Sequence, residues 1–291
     1  MSADLHGRVA IVTGATAGLG RAYALALAQA GADVVLSARR PEPLRELSAQ
    51  LGGLPAVAGD VGDVTVAQEL VDTAMSSYGR VDAVVNNAGA VHDRTLLKMS
   101  DEEFDQVIRG HVYGTFYVTR ACARAMRDQG SGAVINIGSD SMVGAFGQSN
   151  YAAAKGAILG LTLTWAKELT RYGITCNCVL PNALTAMTEE LPELLAAYRY
   201  GPPEAFPRAL GSAAEVAPLI VLLAGDRGRA LNGLLLSLGG DKLSIWQPPA
   251  ETSVAFLNGG WTVNELERSL EFALGIDLST TQRSLDGVTH S

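Results

Sequence analysis

The chain's 291 residues are 48% hydrophobic and 18% charged, a composition able to fill the core of one large α/β domain or two small ones. A net charge of −8 argues against a chain built to grip a phosphate backbone, which takes clustered Lys and Arg. No apolar run approaches the ~20 residues of a membrane span, the N-terminus lacks a signal peptide's charged-then-apolar layout, and the cysteines read as reduced thiols, so a cytoplasmic protein is expected.

Residues 8–13 form a short apolar run, readable as a buried strand, that leads into Gly14-Ala15-Thr16-Ala17-Gly18-Leu19-Gly20. An Ala/Leu-rich helix is predicted over 21–30 and stopped by Gly31. A glycine loop between strand and helix is a phosphate cradle. Glycines let the pyrophosphate approach the backbone, and the helix N-terminus offers free N–H groups and a positive dipole end. The spacing is Gly-x-x-x-Gly-x-Gly rather than the Gly-x-Gly-x-x-Gly of many dinucleotide-binding proteins. A second strand, 33–37, ends at Ala38-Arg39-Arg40-Pro41. An acid at such a strand end binds a ribose 2′-hydroxyl, whereas an Arg accommodates a 2′-phosphate. Arg39 and Arg40 with no acid therefore point to NADP(H); a solvated basic turn is the plainer alternative.

A helix over 43–51 and a third strand over 55–59 precede Asp60-Val61, and a helix over 64–78 is closed by Gly79. A fourth strand, 81–85, runs into Asn86-Asn87-Ala88-Gly89. Ser100 and Glu103 make a capping box for one helix predicted to run unbroken to about Arg127, through Gly110 and His111. Strands follow at 132–137, 174–180 and 233–238, the first ending at Gly138-Ser139-Asp140-Ser141. This alternation predicts a doubly wound parallel sheet of seven strands with helices on both faces. Tips carrying Gly14, Asp60, Asn87, Ser139 and Pro181 would line the edge where such sheets bind ligands. Cys176 and Cys178 sit on one strand face, a poor disulfide, and no nearby His or Cys completes a metal set.

The stretch Gly147-Gln148-Ser149-Asn150-Tyr151-Ala152-Ala153-Ala154-Lys155 organises the rest. Tyr151 and Lys155, four apart on a helix, share one face. A phenol of pKa ~10 is a poor proton carrier at neutral pH, and a cation beside it lowers that value. The pair suits acid–base chemistry on a carbonyl or alcohol.

Together these residues resemble the short-chain dehydrogenase/reductase family. Thr13-Gly-x-x-x-Gly-x-Gly20, Asp60-Val61, Asn86-Asn-Ala-Gly89, Ser139 and Tyr151-x-x-x-Lys155 occur in the family's order over about residues 5–240. The resemblance implies a Rossmann-type fold and reversible hydride transfer between NAD(P)H and a carbonyl or alcohol. It makes Tyr151 the proton donor or acceptor. Lys155 would lower its pKa and hold the nicotinamide ribose, and Ser139 would bind the substrate oxygen. It also implies cofactor contacts from Gly14, Thr16, Gly18, Leu19, Gly20, Asp60, Val61, Asn87, Ala88, Gly89, Tyr151, Lys155, Pro181 and Leu184, beside Arg39 and Arg40. Two positions depart from the pattern. The family's serine lies thirteen residues before the tyrosine, where this chain has Gly138; Ser139 fits if the following loop is one residue shorter, and Ser141 is the fallback. His111 stands where many members carry a relay-supporting Asn, and a packed histidine is the competing reading.

The stretches around His92, His111, Phe146–Tyr151 and Pro181–Thr188 further resemble the (3R)-hydroxyacyl-CoA dehydrogenase domain of multifunctional enzyme type 2. The expected activity is an NADP(H)-preferring oxidoreductase, with NAD as an alternative cofactor, acting on a 3-oxoacyl or 3-hydroxyacyl thioester, CoA- or carrier-linked, or on a similar hydroxy or keto compound. A reductase of steroid, polyketide or cyclic ketones is the alternative enzyme, and an NADP-binding sensor without turnover the alternative of another class. The resemblance also implies a homodimer or homotetramer; no nucleic-acid or membrane partner is expected. Residues 1–240 are read as the catalytic domain and 241–291 as a C-terminal extension on or near it. Substrate specificity is assigned to 90–99 and 187–210, where Pro192, Pro202, Pro203 and Pro207 suggest a lid.

Overall fold

The computed structural model describes residues 4–184, 210–273 and 275. The segment 187–210, with its prolines, therefore lies outside the described residues except for Leu210. The chain divides into two compact units, Met1–Trp246 and Gln247–Ser291.

In the first unit, strands β1 (Val9–Thr13), β2 (Asp33–Ala38), β4 (Ala83–Asn86), β5 (Gly132–Ile137) and β6 (Ile174–Pro181) are buried almost end to end. Runs of that kind form strands covered on both faces. With β3 (Ala56–Ala58), β9 (Leu235–Gly239) and β10 (Lys242–Trp246) they make an eight-stranded sheet, ordered β10-β9-β6-β5-β4-β1-β2-β3. Each neighbouring pair is parallel except β9 with β10. The short strands β7 (Ala183–Leu184) and β8 (Gly211–Ser212) pair separately.

The eighth strand corrects the expected seven. After Gly239 the chain reverses at Gly240, whose φ of +53° suits a residue without a Cβ, and β10 returns antiparallel along β9. Leu243 and Ile245 stand 65% and 61% exposed, so this edge strand carries little of the burial pattern that marks the central ones.

Two helical layers cover the sheet. Tyr23 and Leu27 of α1 (Gly18–Gln29), Leu44 and Leu47 of α2 (Pro41–Gln50) and Ile220 of the helix Ala213–Ala224 pack on one face. Leu70 of α3 (Val64–Tyr78), Val118 and Met126 of α5 (Gly114–Gln129) and Trp165 of α6 (Ser149–Leu169) pack on the other. Connections leave to opposite sides after β1 and β4, which are neighbours, so a crevice opens at their C-terminal ends.

The single helix expected from Ser100 to Arg127 is interrupted. The capping box opens α4 (Asp101–Ile108), a π-helical turn occupies Arg109–Tyr113, and α5 follows. Gly114 sits tightly over Val61, where an added Cβ would lie 2.6 Å from a Val61 methyl. A wider turn at such a close contact inserts an extra residue, and π-turns of this kind recur at functional sites. The turn carries His111 into the interior, 5% exposed.

In the second unit, Thr262 and Glu265 form a reciprocal capping box on the short helix Val263–Arg268, which passes into a π-helical turn at Ser269–Ala273. No helix among the described residues is long and apolar enough to cross a membrane.

Candidate active site

The crevice is built from the ends of β1 and β4. The Thr13 hydroxyl donates to Val85 O at 3.2 Å and accepts from the backbone N–H groups of Asn87 and Ala88, both at 3.0 Å. Asn87 Nδ2 donates to Thr13 O at 3.0 Å and to Gly14 O at 3.3 Å. The Asn87 amide thus locks the two strand ends together. Gly20 faces this lock, where a Cβ would run into the Gly14 carbonyl and the Asn87 amide. Gly18 is different: nothing lies within 4 Å of its Cβ position. The N-cap residue of α1, Ala17, brings no side-chain oxygen to the first turn, so the helix N–H groups stay available to an anion. Thr16 and Leu19 flank the loop, both half-buried.

At the end of β2, Arg39 and Arg40 are exposed and make no ion pair or hydrogen bond among the described residues. The Ser37 hydroxyl beside them is buried without a partner among those residues. Asp60 is exposed at the end of β3 and accepts from Gly62 N at 2.8 Å, while Val61 is buried. Pro181 ends β6, and Leu184 ends β7. The open Gly18, the uncapped helix and the free guanidinium groups fit a dinucleotide.

Tyr151 and Lys155 stand on α6 as their spacing predicts. Lys155 is 4% exposed, and its ammonium donates to Ile137 O at 2.7 Å. Burial lowers its pKa to about 8, opposed by Cys178. Burial pushes the Tyr151 phenol up to about 12; a hydrogen bond with Ser139 opposes the rise, and the Asp140 and Asp93 carboxylates add to it. Here the structure departs from the expected lowering by Lys155. The ammonium lies 5.3 Å from the Tyr151 ring centroid and is directed to the Ile137 carbonyl.

His111 Nε2 lies 3.0 Å from Ala90 O. A carbonyl only accepts, so Nε2 carries the proton and Nδ1 is the bare nitrogen. The imidazole meets the Tyr151 ring edge-on, with centroids 5.3 Å apart at 78°. Burial first, and then Lys155, lower the His111 pKa to about 3, against the Ala90 carbonyl. Gly89 belongs to this contact, because a Cβ there would enter the imidazole ring. His111, Tyr151, Lys155 and Ser139 are therefore brought together, while Ser141 turns away to donate to Gln148 Oε1 at 2.9 Å.

Three residues of this neighbourhood had no role in the sequence reading. Asn150, fully buried, donates to His92 O at 2.9 Å and Glu103 O at 3.2 Å. Gln148 and Asp93 join through Gln148 Nε2, at 3.1 Å and 3.2 Å from the two carboxylate oxygens. The available signal was two amides, Gln148 and Asn150, within three residues of Tyr151. Cys122, Cys176 and Cys178 are free and buried.

Residues 8–195 match the family model described as short chain dehydrogenase. The chain is 37% identical to a hydroxyacyl-CoA dehydrogenase, ChsB1, of Mycobacterium tuberculosis, covering 92% of this chain and 88% of that protein. It is 36% identical to the 3-oxoacyl-[acyl-carrier-protein] reductase FabG of Thermotoga maritima, over 81% of this chain and 98% of the relative. Peroxisomal multifunctional enzyme type 2 of Mus musculus is 43% identical over 64% of this chain, which spans only 27% of that longer protein. A crystal structure of a short chain dehydrogenase from Mycobacterium avium superposes with a TM-score of 0.79 at 33% identity, covering 93% of this chain and 96% of that one.

Proposed function

The chain belongs to the short chain dehydrogenase family, and from that premise we propose that it interconverts a 3-oxoacyl and a 3-hydroxyacyl thioester with NADP(H). Family membership makes it an NAD(P)-dependent oxidoreductase of CH–OH groups. Similarity to a hydroxyacyl-CoA dehydrogenase and to a 3-oxoacyl carrier-protein reductase, each over most of its length, supports the acyl substrate. Arg39 and Arg40, unpaired among the described residues, support the 2′-phosphate.

Gly14, Thr16, Gly18, Leu19 and Gly20 would hold the pyrophosphate, Asp60, Val61, Ala88 and Gly89 the adenosine side, and Lys155, Pro181 and Leu184 the nicotinamide side. The bound cofactor supplies or takes the hydride. Tyr151 carries the proton: its buried phenol is protonated at neutral pH and donates to a developing alkoxide, the far stronger base. Ser139, beside that phenol, would turn its hydroxyl to the same substrate oxygen. His111 supports the site as a neutral side chain that orders Ala90 and the Tyr151 ring. The small residues Gly156, Ala157 and Gly160 of α6 support close pairing with a second copy as a homodimer or homotetramer; the Cβ position of Gly160 faces open space.

The observation that supports the reading is the grouping of Lys155 and His111 around the Tyr151 ring, with Ser139 beside the phenol. The test is NADPH consumption by purified protein against a panel of 3-oxoacyl thioesters, steroids and cyclic ketones. Turnover of a ketone with no thioester turnover would reject the substrate; no turnover of any carbonyl in the panel would reject the reductase.

A further inference from the structure

Three separate segments meet at one side chain next to the phenol. The Gln148 amide, at the residue before α6, has both ends engaged. Its Nε2 donates to Asp93, on the loop after β4, at 3.1 Å and 3.2 Å. Its Oε1 accepts from Ser141 Oγ, on the turn after β5, at 2.9 Å. The backbone reinforces the junction, since Arg94 N donates to Gly147 O at 2.7 Å. From Ser141 the contacts continue inward. Ser139 Oγ lies 3.2 Å from Ser141 Oγ and accepts from Ser141 N at 3.2 Å. Ser139 in turn meets the Tyr151 phenol.

We infer that Asp93, Gln148 and Ser141 form a positioning arm that holds the Ser139 turn against the N-terminus of α6. The inference rests on the reading of Ser139 and Tyr151 as reacting groups.

Hydrogen-bond direction makes the arm specific. A carboxylate only accepts, so Gln148 must turn its NH₂ to Asp93 and its oxygen to Ser141. That oxygen only accepts, so Ser141 must donate to it and present just a lone pair to Ser139. The Ser139 proton then goes to Ser141, to the exposed Asp140 carboxylate 3.1 Å away, or to a substrate oxygen. Without the arm, the 139–141 turn loses its side-chain hydrogen bond to Gln148 and, through it, to Asp93, and Ser139 and Tyr151 are less firmly held to one oxygen position. Catalytic groups lose effectiveness steeply with such loosening. An amide is the side chain at 148 that satisfies both neighbours; a carboxylate there would face Asp93 with no donor between them.

The experiment exchanges the two groups. Gln148→Glu should lower kcat ~10-fold, the scale of one lost charge-assisted hydrogen bond, with cofactor Kd within about 2-fold of the parent by fluorescence titration. Asp93→Asn combined with Gln148→Glu restores the donor–acceptor order. The amide then donates from position 93 and the carboxylate at position 148 accepts from Ser141, so kcat should recover to within about 3-fold. Hydrogen exchange needs no substrate: residues 90–95 and 139–144 should exchange faster together in Gln148→Leu and return to parental rates in the exchanged pair. Parental kcat in Gln148→Glu, or no recovery in a folded exchanged pair, overturns the arm. Faster exchange with unchanged kcat also overturns it, by leaving only a structural tie. Kinetics are run on whichever ketone the parent reduces, so a parent inactive on thioesters rejects the substrate reading while the arm is still decided.

Discussion

Gly138 and Cys178 face each other across β5 and β6 so closely that a Cβ on Gly138 would lie 2.5 Å from the Cys178 sulfur. Position 138, thirteen before Tyr151, therefore points into the sheet and has no room for a hydroxymethyl group. The next residue, Ser139, turns outward to the phenol. Ser139→Ala should lower kcat on the order of 10²-fold, as loss of one oxygen-stabilising donor does. Moving the serine back, in Gly138→Ser with Ser139→Ala, should not restore activity. Recovery in that double variant would show the serine to be serving from position 138.

Tyr151→Phe removes one hydroxyl and leaves the ring against His111. The expected fall in kcat is ~10²–10⁴-fold, the usual contribution of a general acid–base group. Calorimetric affinity for NADPH should change little. Lys155→Ala should weaken both, because the buried ammonium anchors Ile137 O and would hold the ribose. Full turnover in Tyr151→Phe would end the catalytic assignment.

His111 makes a prediction about acid stability. Its folded pKa, about 3, lies below the unfolded value of 6.5. The unfolded chain therefore binds a proton first as pH falls, and stability is lost between pH 6.5 and 3. Above 6.5 the imidazole is neutral in both states and contributes no slope. Thermal unfolding in steps of pH should show Tm falling across this window, and His111→Gln should flatten part of that fall. An unchanged slope in the variant would place the acid sensitivity elsewhere.

Cofactor choice rests on Arg39 and Arg40, which are exposed without partners among the described residues. A phosphate–Arg contact contributes roughly 1.5–3 kcal/mol, so kcat/KM should favour NADPH over NADH by ~10-fold or more. Ala38→Asp with Arg39→Leu should invert the order, by placing an acid where a 2′-hydroxyl would be bound. Equal use of both cofactors by the parent would count against the arginine reading.

Assembly is checked by sedimentation velocity. The open Cβ position of Gly160 and the half-buried Gly156 and Ala157 leave α6 able to approach another backbone. A dimer or tetramer is expected at micromolar concentration, and Gly160→Leu should shift it towards monomer. A monomeric parent would reject the proposed pairing.

The buried strands, the glycine loop after β1, the arginines after β2 and the Tyr151–Lys155 pair could all be read from the chain alone. Each rests on neighbours within a few residues: apolar runs, Gly before a helix, a four-residue helical step. What the tertiary structure decided lies between segments far apart in sequence. The π-helical turn at His111 lies next to the close contact of Gly114 with Val61, and the serine register depends on a sulfur that β6 sets beside β5. The rise in the Tyr151 pKa comes first from burial, which no spacing expresses. β10 escaped notice because an exposed edge strand has little apolar face to display, and Gln148 because an amide's meaning is set by its two partners. Local pattern follows from backbone period and residue type; close approach, desolvation and hydrogen-bond direction arise only when distant segments pack.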